Sequence, residues 1–289
     1  MTATLEQHLI GSSPALRRLR SQLRGLAGLP FPVLFTGEPG SGRRQSARAL
    51  HAAGPFAAAP LLELDAHDPL PQGGLPARGS VLLAGVERLP EEAQAFWSRI
   101  ARGRALGPRL LATAPASFAA RVTPGEFDAE LLAALLRFGV HVPPLRQRRS
   151  DVAELARHFA AETAHELGRP GQRLSEGAVA ALREARWFEN VAELRRVIER
   201  TLAFSTAAEI GGEEIAAVLG ELRPSVDALR ERHRVEERET LLRALADHGG
   251  NIARAAHALG RSRAALYRLA EKHGIALARQ RAAELTRTA

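Results

Sequence analysis

The segment Gly37-Glu38-Pro39-Gly40-Ser41-Gly42-Arg43-Arg44 constrains this chain more than any other. It follows FPVLFT, Phe31 to Thr36, a short apolar run that predicts a buried strand. It precedes Arg43 to Ala53, which predicts a helix. The spacing is that of the phosphate-binding loop G-x-x-x-x-G-K-[ST]. Glycines there let the backbone wrap an anion, and the start of the helix favours its charge. Two positions depart from the pattern. Arg43 replaces the lysine that reaches the outer phosphates, and Arg44 replaces the hydroxyl residue that holds Mg²⁺. Arginine keeps the charge but is longer, planar and forked, so it is not a free exchange in a tight cradle. Gly37, Gly40, Ser41, Gly42, Arg43 and Arg44 are therefore read as a vestigial nucleotide-binding set.

Further short strands are predicted at Leu61 to Leu64, Ser80 to Leu83 and Arg109 to Thr113, with an amphipathic helix from Pro14 to Leu26. Strands alternating with helices predict a parallel sheet with crossover helices. After Pro143-Pro144 only helical periodicity is read, over Asp151 to Leu167, Glu176 to Glu184 and Val191 to Phe204, with Ser175 as an N-cap. The expected organisation is an α/β core over 1–145, a helical lid over 146–222, a linker over 223–234 and an all-α unit over 235–289. No cysteine is present, which excludes disulfides, thiol catalysis and cysteine-held metals. The ten histidines form no convincing metal set. No apolar run reaches about 18 residues, so no membrane partner is expected. Met1 to Ile10 carries no secretory pattern, so the cytoplasm is the expected location.

The chain carries +8, from 40 basic and 32 acidic residues. Residues 250–289 hold eight basic residues against two acids, most of that excess. In the same stretch Asn251 caps a helix with Ile252, Ala255, Ala256 and Leu259 on one face. Gly260-Arg261 makes a turn, and Ser262 caps a second helix with Leu266 and Leu269 inward. That is a helix-turn-helix plan. Its outward face carries Arg263, Ala264, Tyr267 and Arg268, placed to read base edges in the major groove. Arg254, Arg261 and Lys272 are placed for phosphates. Double-stranded DNA is the expected partner, bound by at least a homodimer.

These motifs together resemble the bacterial enhancer-binding proteins, the AAA+ activators of sigma-54 RNA polymerase. GEPGSGRR aligns without gaps to that family's GESGTGKE, and PPLRQRRSDV, starting at Pro143, is similar to its PPLRER passage. WFENVAEL, starting at Trp187, resembles its WPGNVREL segment, and GGNIARAAHALGRSRAALYRLAEKHGI resembles its Fis-type DNA-binding domain. The resemblance runs from about Ile10 to Ile275 and implies a AAA+ P-loop core, a helical lid and a helix-turn-helix domain.

The departures fall where the resemblance would place the chemistry. Ala84 and Gly85 stand at the two carboxylates that hold Mg²⁺ and polarise water, and Pro115 at the first sensor asparagine. Asp128 and Ala134 stand at the arginine fingers, and Ala192 at the second sensor arginine. The stretch between Leu64 and Ser80 contains no GAFTGA-like sigma-54 contact loop. The expectation is a sequence-specific transcriptional regulator with no catalytic residue and no metal, whose AAA+ core has lost hydrolysis. ATP stays open as a ligand. Two alternatives stay open: an ATP-dependent sigma-54 activator with a divergent site, or a non-catalytic subunit modulating an active relative. RNA polymerase or a related AAA+ regulator would be the further partner. With the core beginning near residue 10, no N-terminal sensory domain is expected.

Overall fold

The computed structural model describes residues 2–69, 74–103, 107–122, 125–222, 238, 240–248, 250–259, 262–273 and 275. The linker over 223–234, Arg261 and the end of the chain lie outside them. The chain divides into two units, Met1–Leu219 and Gly220–Ala289.

In the first unit, five strands form one parallel sheet: β1 Val33–Gly37, β2 Leu61–Asp65, β3 Ser80–Ala84, β4 Arg109–Pro115 and β5 Gly139–His141. Their order is β2-β3-β4-β1-β5. The register pairs Phe35 with Thr113 and Leu83 with Ala112. β3 is buried at all five positions, as a strand covered on both faces must be. Alternation along the strands then feeds two cores. Val33, Phe35, Leu82 and Leu111 pack under α1 Thr2–His8, α2 Pro14–Ala27 and α3 Arg43–Ala52. Leu34, Val81, Leu83 and Leu110 pack under α4 Glu91–Arg102 and α6 Ala129–Leu136; α5 Phe118–Arg121 lies between these helices in the chain. β5 has three residues, too few to leave a periodicity in the sequence.

Buried polar groups tie the elements together. Ser13 caps α2, its Oγ accepting from Leu16 N–H at 3.2 Å. Arg109, at the start of β4, donates to the carbonyls of Leu26, Ala27 and Phe31 at 2.9, 3.3 and 3.0 Å. It thereby satisfies the C-terminal carbonyls of α2. Burial lowers its pKa to about 10, so it stays charged.

The helical part of this unit holds α7 Asp151–Glu166, α8 Glu176–Glu184, α9 Asn190–Phe204 and most of α10 Gly212–Leu222. Ser175 caps α8 as expected, accepting from Ala178 N–H at 3.1 Å. The expectation that strands end at Pro144 needs correction. β6 Arg173–Leu174 and β7 Glu209–Ile210 pair in parallel here, two residues each, too short to leave a period-2 pattern. Asp151 binds α7 to the start of the chain: its carboxylate accepts from Ser12 and Ser13 N–H at 2.9 and 2.7 Å, and from Ser13 Oγ at 2.7 Å.

The second unit is built on helices α11 (240–247), α12 Ile252–Ala258 and α13 Arg263–Lys272. Leu241, Leu245, Ala255, Ala256, Leu266 and Leu269 are its core. Leu242, beside Leu241 on α11, is 38% exposed.

Candidate nucleotide cleft and DNA-binding unit

The sheet order reverses at β1, so the loop after it opens at a topological switch point, where α/β sheets bind ligands. Residues 38–42 form this loop, and Gly42 starts α3 with φ +100°. Gly40 has φ +71°, and a Cβ there would strike the Glu189 carbonyl and stand 3.0 Å from Ala192 Cβ. Only glycine fits, because α9 lies directly against the loop. Three successive loop carbonyls bond the lid side. Pro39 accepts from Asn190 Nδ2 at 2.9 Å. Gly40 accepts from Val191 and Ala192 N–H at 3.0 and 3.3 Å. Ser41 accepts from Arg148 Nη2 at 2.7 Å. Arg146 forks onto the Glu38 carboxylate at 2.5 and 2.6 Å and, with Asn190, holds that carboxyl below its usual pKa.

The cleft above the loop has a volume of about 770 Å³. Gly40, Ser41, Gly42, Arg43 and Arg44 all line it, with the ends of β3 and β4 and the lid side chains Phe159 and Ala192. Gly37 ends β1 beneath it. Arg43 makes no hydrogen bond or ion pair with a described residue. Burial lowers its pKa, and Glu87 opposes that shift. Arg44 points away to Asp65 at 3.3 Å. The size suits a nucleotide, and the first N–H groups of α3, left without intrahelical acceptors, suit a phosphate.

The second unit sorts the predicted DNA-binding residues cleanly. Asn251 Oδ1 accepts from Ala253 and Arg254 N–H at 3.1 and 3.2 Å, capping α12. Ser262 Oγ accepts from Ala265 N–H at 3.2 Å, ahead of α13. Leu266 and Leu269 are buried, which turns Arg263, Ala264, Tyr267 and Arg268 outward, all exposed. Arg254, Ser262 and Lys272 are exposed as well.

A sigma-54 interaction domain is matched over residues 10–145, a AAA+ ATPase lid domain over 146–231, and a bacterial regulatory protein domain of the Fis family over 234–271. The anaerobic nitric oxide reductase transcription regulator NorR of Salmonella paratyphi C is 30% identical over 93% of this chain and 63% of its own length. From residue 10 to 271 the chain is built of the domains of the sigma-54 activator family. It spans 63% of the length of such curated relatives. NtrX of Brucella abortus, solved with ADP, superposes with a TM-score of 0.62 at 25% identity, over 92% of this chain and 69% of that one. RuvB of Thermotoga maritima shares the fold at 17% identity and a TM-score of 0.53, over 91% of this chain and 87% of its own.

At this cleft the departing positions are filled by other contacts. Ala84 ends β3 and Gly85 follows with φ +74°. A Cβ at Gly85 would stand 2.8 Å from Arg88 Nε and 2.9 Å from its Cζ. Arg88 Nη2 is held by both Asp65 carboxylate oxygens at 3.0 Å. A guanidinium thus occupies the space beside the position of the second family carboxylate. Among the described residues no three His, Asp or Glu side chains gather to hold a metal. The residues present do not fit Mg²⁺.

Asp128 caps α6, its Oδ1 accepting from Leu131 N–H at 2.7 Å, and Ala134 packs on the core. Arg195 lines the cleft but pairs with Glu162 and Glu199 at 3.3 and 2.6 Å, and Arg196 with Glu189 at 3.0 Å. Three further side chains belong to the site without a motif to announce them. Arg146 and Arg148 bind the loop itself, and Glu87 lines the cleft and acts on Arg43. Among the described residues no helix is long and apolar enough to cross a membrane.

Proposed function

We propose that this chain is a sequence-specific DNA-binding transcriptional regulator whose AAA+ core does not hydrolyse ATP. The observation that carries the reading is Arg88 lying against Gly85, where carboxylates would orient a metal and its water. The capping role of Asp128 adds that no arginine reaches the finger position from this helix. Losing a finger alone removes about 10³ to 10⁵ in rate. The link between β2 and β3, residues 66–79, is short and has no helix among its described residues, which argues against the family's contact with sigma-54. RNA polymerase in another form, or a related AAA+ regulator, is then the protein partner, and the regulator works as a dimer or higher oligomer.

The test is ATP turnover by the purified chain at high concentration, with and without DNA. The expected rate equals that of an Arg43→Ala control. A rate clearly above that control restores an ATP-driven activator.

The DNA side has its own expectation. Arg263→Ala should weaken binding to the target by about 1–3 kcal/mol and relax selection at one base pair. Lys272→Ala should weaken all sequences alike and reduce the salt slope by about one. Binding titrations over several salt concentrations separate the two; equal loss on target and random DNA for Arg263→Ala refutes its reading role.

A further inference from the structure

We propose that the cleft binds a nucleoside polyphosphate as the metal-free anion, with Arg43 and Arg88 supplying the charge that a divalent cation would bring. This rests on the reading of a core without metal ligands. Four observations on the cleft carry it. Arg44 and Arg88 share Asp65, and Arg88 Nε also lies 4.0 Å from Glu87, so with Arg43 three guanidiniums stand against two carboxylates and the cluster keeps a positive charge. Arg43 stands half-buried at the start of α3 and makes no ion pair with a described residue. Arg148 is 94% buried in the cleft floor, with Nε lacking any hydrogen-bond partner and Nη2 on the Ser41 carbonyl. Ser41 Oγ, 1% exposed in the loop, also has no partner.

A buried, incompletely bonded cation is costly unless an anion approaches it. Here the anion has a cradle of glycine backbone and helix start beside it. The cleft's other wall carries Leu9, Ile10, Leu155 and Phe159 among polar neighbours, apolar surface that suits a base. The position beside Gly85 is where a cation would sit in a metal-dependent site, and Arg88 already holds one there. A second cation at that place is repelled. Free polyphosphate, which carries more negative charge than its magnesium complex, is the better match.

The probe is ATP, titrated into the full chain by calorimetry, first in EDTA and then in excess Mg²⁺. Binding in EDTA should be as tight as in Mg²⁺ or tighter. Arg43→Gln and Arg88→Gln should each weaken the EDTA value tenfold or more, with melting temperature and DNA affinity unchanged. Binding that requires Mg²⁺ or tightens tenfold with it overturns the proposal, as does no binding in either buffer or no loss in both variants. The buffer comparison on the unaltered chain decides even if a variant misfolds. Turnover of ATP would overturn the non-hydrolytic reading; magnesium-dependent binding without turnover would overturn this inference alone.

Discussion

Replacing Asn190 with alanine should destabilise the N-terminal unit by about 4 kcal/mol. Asn190 is fully buried and is the non-glycine residue that holds a positive φ among the described residues, at +55°. Its Oδ1 accepts from Leu145 N–H at 2.8 Å, and its Nδ2 donates to the Pro39 carbonyl at 2.9 Å and to Glu38 Oε2 at 3.3 Å. Alanine removes all three bonds. Leaving a buried donor and a buried acceptor unmet costs roughly 1–3 kcal/mol each. Holding alanine in the left-handed region adds about 1–2 kcal/mol. For a unit of this size each kcal/mol moves the melting temperature by about 2–4 °C, so a fall on the order of 10 °C is expected. Asn190→Gly isolates the backbone part: it should recover about 1 kcal/mol and no more, because the bonds stay unmade. A loss under about 1 kcal/mol for alanine would mean that Asn190 does not pin the lid to the phosphate loop.

Asn190 also shows where the sequence is legible and where it is not. β1 to β4, α2, α3 and the lid helices α7 to α9 announce themselves through apolar spacing, because burial of a face leaves a period in the chain. The cleft's cationic set leaves none. Arg88 is three residues beyond Gly85 and looks like one more arginine in an arginine-rich chain; only the close approach of its guanidinium to the glycine gives it meaning. Arg146 and Arg148 sit in RQRR, which reads as a solvated run until Glu38 and the Ser41 carbonyl are found more than a hundred residues earlier. Such pairings are set by the sheet topology, which brings the loop after β1 against the lid. The departures at Ala84, Gly85 and Asp128 were legible as departures. What replaced them was not, since a helix cap and a guanidinium are roles of geometry.

The largest effect on DNA binding should come from a residue that does not face DNA. Leu266→Ala should reduce affinity for the target at least a hundredfold. Leu266 is fully buried, packed among Leu241, Leu245, Ala255, Ala256 and Leu269. Truncating such a leucine costs about 2–5 kcal/mol through lost burial and the cavity left behind. A unit whose described residues form three short helices holds roughly 3–5 kcal/mol in all. The substitution therefore unfolds the unit, and the exposed face of α13 ceases to exist as a surface. Tyr267, the next residue, is 42% exposed and contributes little to that core. Tyr267→Ala should leave the unit folded and weaken binding by a smaller factor, through lost contact alone. Circular dichroism beside DNA titration distinguishes them: helix content falls for Leu266→Ala and holds for Tyr267→Ala. The melting of Met1–Leu219 should stay in place for both, since its cores share no residue with this one. If Leu266→Ala binds target DNA within twofold of the unaltered chain, the DNA lies on some other surface, and the outward face of α13 is not what reads it.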